Sequence, residues 1–152
     1  MTEEEAKAAP SWKQLSHLNN ELGVAILAAG QYDKALEYYQ KALAIRFKQL
    51  GPNHPEVAIS YDNIGLVYKT KGEYDHALEY DQKALAIFLK KLGPDHPHVA
   101  TCYNNIGHIY KYKKDLSKAK EYWEKAHAIF LKRLGPNHPA TKDTKAKLDE
   151  LK

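Results

Sequence analysis

The sequence predicts an all-α protein built as an α-solenoid, with three stacked helix-turn-helix units followed by a C-terminal capping helix. Three observations predict this fold. The string Leu-Gly-Pro-x-His-Pro begins at Leu50, Leu92 and Leu134, so it returns every 42 residues. Residues 58–99 and 100–141 are identical at 23 of 42 positions. Each unit also contains two stretches with apolar residues at helical spacing, and such hairpins bury their faces only by stacking on their neighbours.

The repeat divides a single domain into five segments, since 152 residues with 43% hydrophobic content suffice for one core. The segments are an N-terminal extension leading into the first helix (1–15), unit one (16–57), unit two (58–99), unit three (100–141) and a capping helix (142–152). Pro10 is tolerated near the start of the first helix, and Trp12 is expected to cover its exposed edge. The last segment is mostly polar, as the solvated end of a repeat array must be.

Unit two shows the helical hairpin most clearly. Its first helix, helix A, carries one stripe at positions i, i+3, i+4 and i+7, formed by Tyr61, Ile64, Gly65 and Tyr68. A longer helix, helix B, follows with the same spacing from Ala77 to Leu92. Gly65 on helix A and Ala77 or Ala84 on helix B predict a close crossing of the two axes at roughly 8 Å, because only small side chains fit there.

Glycine and proline mark the ends of these helices. Gly72 is expected to end helix A in the left-handed conformation. Gly93 is expected to end helix B in the same way, and Pro94 prevents the helix from continuing.

The repeated histidines, His54, His96 and His138, are either metal ligands or parts of a connector. Ligands of one metal ion lie about 2 Å from it, whereas equivalent positions in stacked units lie roughly 8–10 Å apart. The proline after each histidine can begin a helix A without an N–H donor, and the polar residues before it can satisfy open helix-end groups. We therefore interpret the string as a structural connector and predict neither a metal site nor a cofactor.

These residues resemble the tetratricopeptide repeat family, whose signature has an aromatic, Leu-Gly, Tyr, Ala and Ala at the same offsets. The matching positions are Tyr61, Ile64, Gly65, Tyr68, Ala77 and Ala84. The usual repeat has about 34 residues, and the longer period with "LGPDHP" and "YNNIG" is similar to the repeats of kinesin light chains and nephrocystin-3. The resemblance covers nearly all of residues 16–141. It implies a right-handed solenoid that binds partner segments in a concave groove.

Two positions depart from the family pattern. The aromatic residue late in helix B is Tyr39 in unit one and Trp123 in unit three, but Asp81 in unit two. Lys114 replaces the turn glycine of unit three, so we expect a looser turn between its two helices.

Composition and motifs argue against several functions. The 23 basic and 19 acidic residues are scattered along the chain, which lacks the basic stripe of a nucleic-acid binder. No window approaches 18 uninterrupted apolar residues, so no membrane span is predicted, and the cytoplasm is the default location. Catalytic triads, phosphate loops and zinc-protease motifs are missing, so we predict no enzyme. Cys102 lies beside an apolar stripe and is interpreted as a packed residue, although turnover dependent on Cys102 or His108 is a remote alternative.

The candidate binding site is the side of each helix A that lies opposite its apolar stripe. Its residues are Asn20, Val24, Leu27, Asp62, Asn63, Leu66, Lys69, Asn104, Asn105, His108, Lys111 and Tyr112. Asparagines offer a donor and an acceptor to the backbone of an extended peptide, and apolar residues on a wet face mark an interaction patch. The alternative is that this face is simply solvated.

The sequence therefore predicts a non-enzymatic scaffold or adaptor for protein–protein interaction that binds short partner peptides in a groove. Lys69 and Lys111 would favour acidic peptides, although Glu21 and Asp62 oppose them. The kinesin light chain resemblance implies peptides with a tryptophan flanked by acidic residues. A structural module that associates end to end through its terminal units is the alternative, because stacked repeats present nearly self-complementary ends.

Overall fold

A computed structural model describes residues 9–152, which form seven α-helices and no β-strand. The helices are α1 (Trp12–Ala28), α2 (Tyr32–Leu50), α3 (Pro55–Lys71), α4 (Tyr74–Leu92), α5 (Pro97–Tyr112), α6 (Leu116–Leu134) and α7 (Pro139–Glu150). Each helix packs chiefly on the helices before and after it in the chain. The A helices are α1, α3 and α5, the B helices are α2, α4 and α6, and α7 follows as a single C-terminal helix. The predicted all-α array is confirmed.

The helices begin slightly upstream of the unit boundaries drawn from the sequence. Pro55 and Pro97 are the first residues of α3 and α5, and α7 starts at Pro139. The first helix starts at Trp12 and is capped by Ser11, whose hydroxyl accepts a hydrogen bond from the Gln14 amide. Pro10 therefore precedes the cap and lies outside the helix.

Each repeated histidine caps the A helix or C-terminal helix that follows it. The Nδ1 atom of His54 accepts a hydrogen bond from the Glu56 amide at 3.1 Å. His96 and His138 make the equivalent bonds at 3.0 Å and 3.1 Å, and a proline occupies the next position each time. The imidazole thus satisfies one of the open N–H groups of the first turn. The interpretation of the string as a structural connector is confirmed.

The turns from helix A to helix B keep the same geometry in units two and three. Gly72 is left-handed, at φ 83° and ψ 10°, as predicted. Lys114 adopts the same region at φ 65°, and its amide bonds to the Lys111 carbonyl at 2.9 Å. The equivalent bond from Gly72 to Lys69 is 3.0 Å, so the expected looser turn in unit three is wrong. The lysine instead holds a backbone conformation that costs energy for any residue with a Cβ.

The ends of the B helices differ from the prediction. Gly93 has φ 89° and ψ 164°, which is positive in φ but extended in ψ. This region is essentially restricted to glycine. The expectation that Gly93 matches the left-handed Gly72 is therefore wrong, although glycine is required at both positions.

The close crossing between helices A and B of unit two lies at Gly65. A Cβ added to Gly65 would lie 3.4 Å from the Ala77 carbonyl oxygen, but its first clash would be with Asp81 Oδ1. Of the two expected alanines, Ala77 therefore lies next to this glycine. Ala84 packs in a cluster with Val57 and Ala58 of the same helix A.

The residue above each A-helix glycine is the late helix B position noted in the sequence. A Cβ on Gly23 would lie 2.7 Å from the Tyr39 ring, and one on Gly107 would lie 2.5 Å from the Trp123 ring. Both aromatic rings are buried. The three units therefore share one packing arrangement, in which unit two has a carboxylate where the others have a ring.

Candidate functional site

The A helices and α7 are joined side by side through polar side chains. Asn63 on α3 donates from Nδ2 to Asn20 Oδ1 on α1 at 2.7 Å. Lys147 on α7 donates to Asn104 Oδ1 on α5 at 3.1 Å. We call the surface formed by these helices around these residues the A-face. Asn63 therefore contacts Asn20 and Asn104 contacts Lys147, so part of the hydrogen-bonding capacity of these asparagines already joins neighbouring helices.

Apolar residues lie on the A-face beside these polar groups. Val24 is 53% exposed and Leu66 is 42% exposed. Leu27 is only half-buried and packs against the core cluster that contains Ala35 and Tyr39. The structure thus leaves Val24 and Leu66 open to solvent, whereas Leu27 contributes mainly to the core.

Lysines surround the part of the A-face formed by α5 and α7. Lys111 is exposed and Lys69 is half-buried. The Lys147 side chain is only 15% exposed, and its ammonium lies 2.5 Å from an Asp143 carboxylate oxygen. It also lies 5.9 Å from the centroid of the Trp123 ring, within the range of a cation–π contact. Positive charge is therefore concentrated at this end of the face.

His108 lies between these lysines and the aromatic core of unit three. Its ring meets Trp123 edge-on, with 5.5 Å between the centroids. Burial, followed by the charges of Lys147 and Lys69, lowers the pKa of His108 to about 4. At neutral pH the imidazole is uncharged, so it serves as a hydrogen-bonding group and not as a cation.

Two carboxyl groups lie beneath the A-face in unit two. Asp81 is 3% exposed, and its Oδ1 atom has no hydrogen-bond partner. Burial, followed by the nearby charge of Asp62, raises the pKa of Asp81 to about 8. Burial also raises the pKa of Asp62 to about 7, against a lowering from the Cys102 thiol that donates to it. Both carboxyls therefore hold protons close to neutral pH.

The two carboxyls share a small pocket with part of the predicted site. The other residues that line it are Gly65, Leu66, Lys69 and Asn105. Its volume of about 10 Å³ is close to the space that one water molecule occupies. The pocket therefore joins α3, α4 and α5 at the middle of the A-face.

Comparison with known proteins agrees with the repeat. A sequence profile described as the tetratricopeptide repeat matches residues 14–90 and 71–132. The chain belongs to the tetratricopeptide repeat family. No curated protein matches the sequence.

Several solved structures are similar to this tetratricopeptide repeat protein. BtubC (BKLC) from P. vanneervenii is 25% identical with a TM-score of 0.80, over 95% of this chain and 57% of that one. A putative kinesin light chain from P. anserina with nearly identical repeats is 26% identical with a TM-score of 0.75, over 97% of this chain and 70% of that one. The N-terminal domain of stress-induced protein-1 from C. elegans is 18% identical with a TM-score of 0.67, over 94% and 98% of the two chains, and shares the fold. The kinesin light chain resemblance is confirmed.

Two further candidate groups of this repeat protein are Cys102, whose thiol donates to Asp62 at the pocket, and Tyr112. Cys102 is fully buried, and burial together with Asp62 raises the pKa of its thiol well above the ordinary value. Such a thiol is a poor nucleophile, in keeping with its prediction as a packed residue. Tyr112 is 54% exposed and stacks on Tyr74, the first residue of α4, at a centroid distance of 5.5 Å. It is thus placed at the edge where the A-to-B turns lie.

Sequence reasoning missed Lys147 and Asp81 as site residues. Lys147 was assigned to a cap, yet it lies 42 residues after Asn105 and so occupies an A-face column of the repeat. Asp81 was noted only as a departure from an aromatic column. The 42-residue period could have placed Lys147 on the same face as Asn105. Gly65, which lies against Asp81, could have indicated that this side chain is buried.

The described part of this repeat protein contains neither a membrane-spanning helix nor a metal-binding cluster. Across residues 9–152, every helix is too short or too polar to cross a lipid bilayer. Within the same range, no three histidine, cysteine, aspartate or glutamate side chains converge on a position that could hold a metal ion.

Proposed function

We propose that this protein is a non-enzymatic cytoplasmic scaffold that binds an extended segment of a partner protein across its A-face. Membership of a family of protein-interaction repeats supports a role in protein binding. The observation that carries the proposal is the exposure of Val24 and Leu66 beside half-buried polar groups. Such a mixture suits a peptide that needs both apolar contact and backbone hydrogen bonds.

The charges of the A-face favour a segment that carries acidic residues toward α5 and α7. Lys111 lies on α5 and Lys147 on α7, Lys69 on α3 is close enough for its charge to lower the pKa of His108, and His108 adds a neutral donor or acceptor. The helices are preformed, so binding orders only the peptide and little free energy is lost on the scaffold side. We expect affinity for acidic peptides to fall as salt rises, because these lysines are partly solvated.

Fluorescence anisotropy with labelled 12-residue peptides tests this function. The peptides contain one tryptophan between acidic residues, and the control peptides have the acidic residues replaced by their amides. Asn104→Ala is expected to weaken binding by about 5–10-fold, the effect of one hydrogen bond. Lys111→Met should lower affinity for the acidic peptides only. Gln82→Ala, on the exposed side of α4, is the matched control and should bind as the wild type does. Equal affinities for the wild type, Asn104→Ala and Lys111→Met would refute the proposal.

A second candidate function is end-to-end self-association through α1. Leu15, Leu18 and Leu22 are 37%, 53% and 36% exposed. The residues 42 positions later are buried, because in units two and three this helix face packs against the preceding helix B. A second copy of the chain would continue the same interface over α1.

Light scattering across a hundredfold range of protein concentration tests this candidate. The mass of the wild type should rise with concentration, and Leu18→Glu should remain monomeric. Leu131→Glu, at a residue of α6 that is 44% exposed, is the matched control and should behave as the wild type does. A constant monomer mass for the wild type would eliminate self-association without affecting the peptide-binding proposal.

A further inference from the structure

The middle of the A-face differs chemically from its two ends. In units one and three an aromatic ring, Tyr39 or Trp123, packs on the glycine of helix A. In unit two the shorter Asp81 side chain takes that place, and a pocket remains between α3, α4 and α5. The replacement turns a filled hydrophobic contact into a polar recess.

The recess contains an acceptor without a donor. Asp81 lines the pocket, and its Oδ1 atom is buried and lacks a hydrogen-bond partner. Asp62 accepts only a long contact from the Cys102 thiol, 3.7 Å from Sγ to Oδ1. Buried carboxyl oxygens are normally paired, because an unpaired one loses its hydration without compensation. The pocket therefore offers an acceptor that a ligand's donor group could pair with, and a positively charged donor would pair with it most strongly.

The size of the pocket restricts the chemistry of that donor. Space for about one water molecule suits a primary ammonium, whereas a guanidinium group or an aromatic ring is too large. A carboxylate brings no hydrogen-bond donor to Asp81 Oδ1. Leu66 also lines the pocket and is partly exposed, so an apolar stem behind the charged head would have an apolar side chain to pack against. A lysine side chain meets all of these conditions.

We infer that the unit-two pocket is a subsite for a lysine side chain of the bound partner segment, with Asp62 and Asp81 accepting hydrogen bonds from its ammonium group. This subsite rests on the proposed function, since it lies in the same A-face. Together with the lysines toward α7, it selects a segment that carries a lysine at the middle of the face and acidic residues on one side of it.

Lys69 is the internal competitor for this subsite. Its side chain also lines the pocket, and burial lowers its pKa, against a raising effect from Asp81. It does not satisfy Asp81 Oδ1 in the free protein, which remains unpartnered. The partner lysine must therefore compete with one nearby positive charge, and Lys69→Met is expected to strengthen its binding.

The first experiment uses a small probe and needs no partner. Side-chain ¹³C NMR follows the titration of Asp62 and Asp81 in the intact chain with n-butylammonium, tetramethylammonium or alaninamide at constant ionic strength. n-Butylammonium should lower the measured pKa of Asp81 by about 1 or more, with half-saturation on the order of 10–100 mM. The other two cations should leave it unchanged. Asp81→Trp, which restores the ring of the other units, should abolish the response of Asp62.

The second experiment uses peptides selected on the wild type from a display library of random 12-residue sequences. The bound peptides should share one lysine, and its replacement by norleucine should weaken binding to the wild type by about tenfold or more. The same replacement should have no effect on binding to Asp81→Trp. Circular dichroism of this variant shows whether it is folded, and Asp81→Asn serves as the second variant if it is not.

The outcomes separate the subsite from the proposed function. A free-protein pKa of Asp81 near 4, no response to n-butylammonium, or an equal response to alaninamide would each overturn the lysine subsite. Peptides that bind the A-face without a lysine would also overturn it, and would leave the proposed function intact. A response to n-butylammonium with no peptide selected would support an ammonium site and count against the proposed function.

Discussion

The buried acid pair predicts that the stability of this protein falls as pH rises through neutrality, the opposite of the usual trend. A carboxyl whose pKa is raised by folding binds its proton more tightly in the folded state than in the unfolded state. The folded state is therefore favoured at pH values below the unfolded pKa, and that advantage is lost progressively up to the folded pKa. For Asp81 the two limits are 3.8 and about 8, and for Asp62 they are 3.8 and about 7.

The size of the effect follows from the pKa of Asp81. With the folded and unfolded values above, the contribution of Asp81 alone to the free energy of unfolding should fall by about 4 kcal/mol between pH 4 and pH 7. The contribution of Asp62 is not added, because its charge is already one cause of the raised pKa of Asp81. A loss on this scale is a large fraction of the total of about 5–15 kcal/mol that stabilises a typical domain.

His108 sets the opposite slope at acidic pH. Its folded pKa of about 4 lies below the ordinary 6.5, so its neutral form is favoured by folding. The stability that this provides is present above pH 6.5 and is lost as pH falls toward 4. Between about pH 4 and 6.5 the two slopes nearly cancel, so the stability of the wild type should change little over that range and should fall above it.

Urea denaturation followed by circular dichroism, at pH values from 4.5 to 8.5, measures this profile. In Asp81→Asn the amide cannot ionise, so the decline above pH 5 should be much smaller, and the variant should be more stable than the wild type by on the order of 4 kcal/mol at pH 8. Asp95→Asn is the control. The Lys132 hydrogen bond holds the pKa of Asp95 below its ordinary value, so this change should leave the slope above pH 5 unaltered.

A wild-type stability that stays flat or rises from pH 5 to pH 8 would refute this reasoning. So would an Asp81→Asn profile parallel to that of the wild type. In either case folding would not raise the pKa of Asp81, and the carboxyl would be ionised in the folded protein at neutral pH.

Three further predictions concern the packing of the repeat. Lys114→Gly should stabilise the protein by about 0.5–1 kcal/mol, because the lysine holds φ 65°, whereas Lys111→Gly inside α5 should cost about 1 kcal/mol; urea denaturation compares them. Ser60→Ala should cost about 2 kcal/mol, since the buried Arg46 loses its 2.8 Å acceptor, and adding Arg46→Phe should recover the loss in a double-mutant cycle. Gly107→Ala places a Cβ 2.5 Å from the indole above it and should lower Tm by about 4–8 °C in a melt.

The fold was predictable from the sequence because its signals are local and recur three times. The helical spacing, the capping proline and the left-handed glycine each act within a few residues, and the repeat confirms each one independently. The turn of unit three was mispredicted because propensity alone disfavours Lys114 in the left-handed region, whereas the packing of the two helices imposes that conformation. The ψ angle at Gly93 was missed for a similar reason, since the direction of the following connector determines it.

The candidate site was predictable only in outline. The period of 42 residues places the asparagines on one face, but it does not show that Asn63 bonds to Asn20 or that Lys147 reaches Asn104. These are contacts between helices, and their side-chain geometry depends on the stacking of neighbouring units. The raised pKa of Asp81 was equally inaccessible, because it results from burial that a departure from a sequence pattern cannot measure.

The helix B residue that packs on the A-helix glycine indicates that unit two is the unit most suited to binding a ligand. The stability of a repeat array is approximately a sum of unit and interface terms, so a destabilising residue in one unit is not required by the others. Tyr39 and Trp123 fill this position with buried rings, whereas Asp81 buries a carboxyl without a partner. Residues that break the local rule of a fold are expected at functional positions. Asp81→Trp should therefore stabilise the protein at neutral pH and remove the ammonium response, which would separate the demands of folding from those of binding at a single residue.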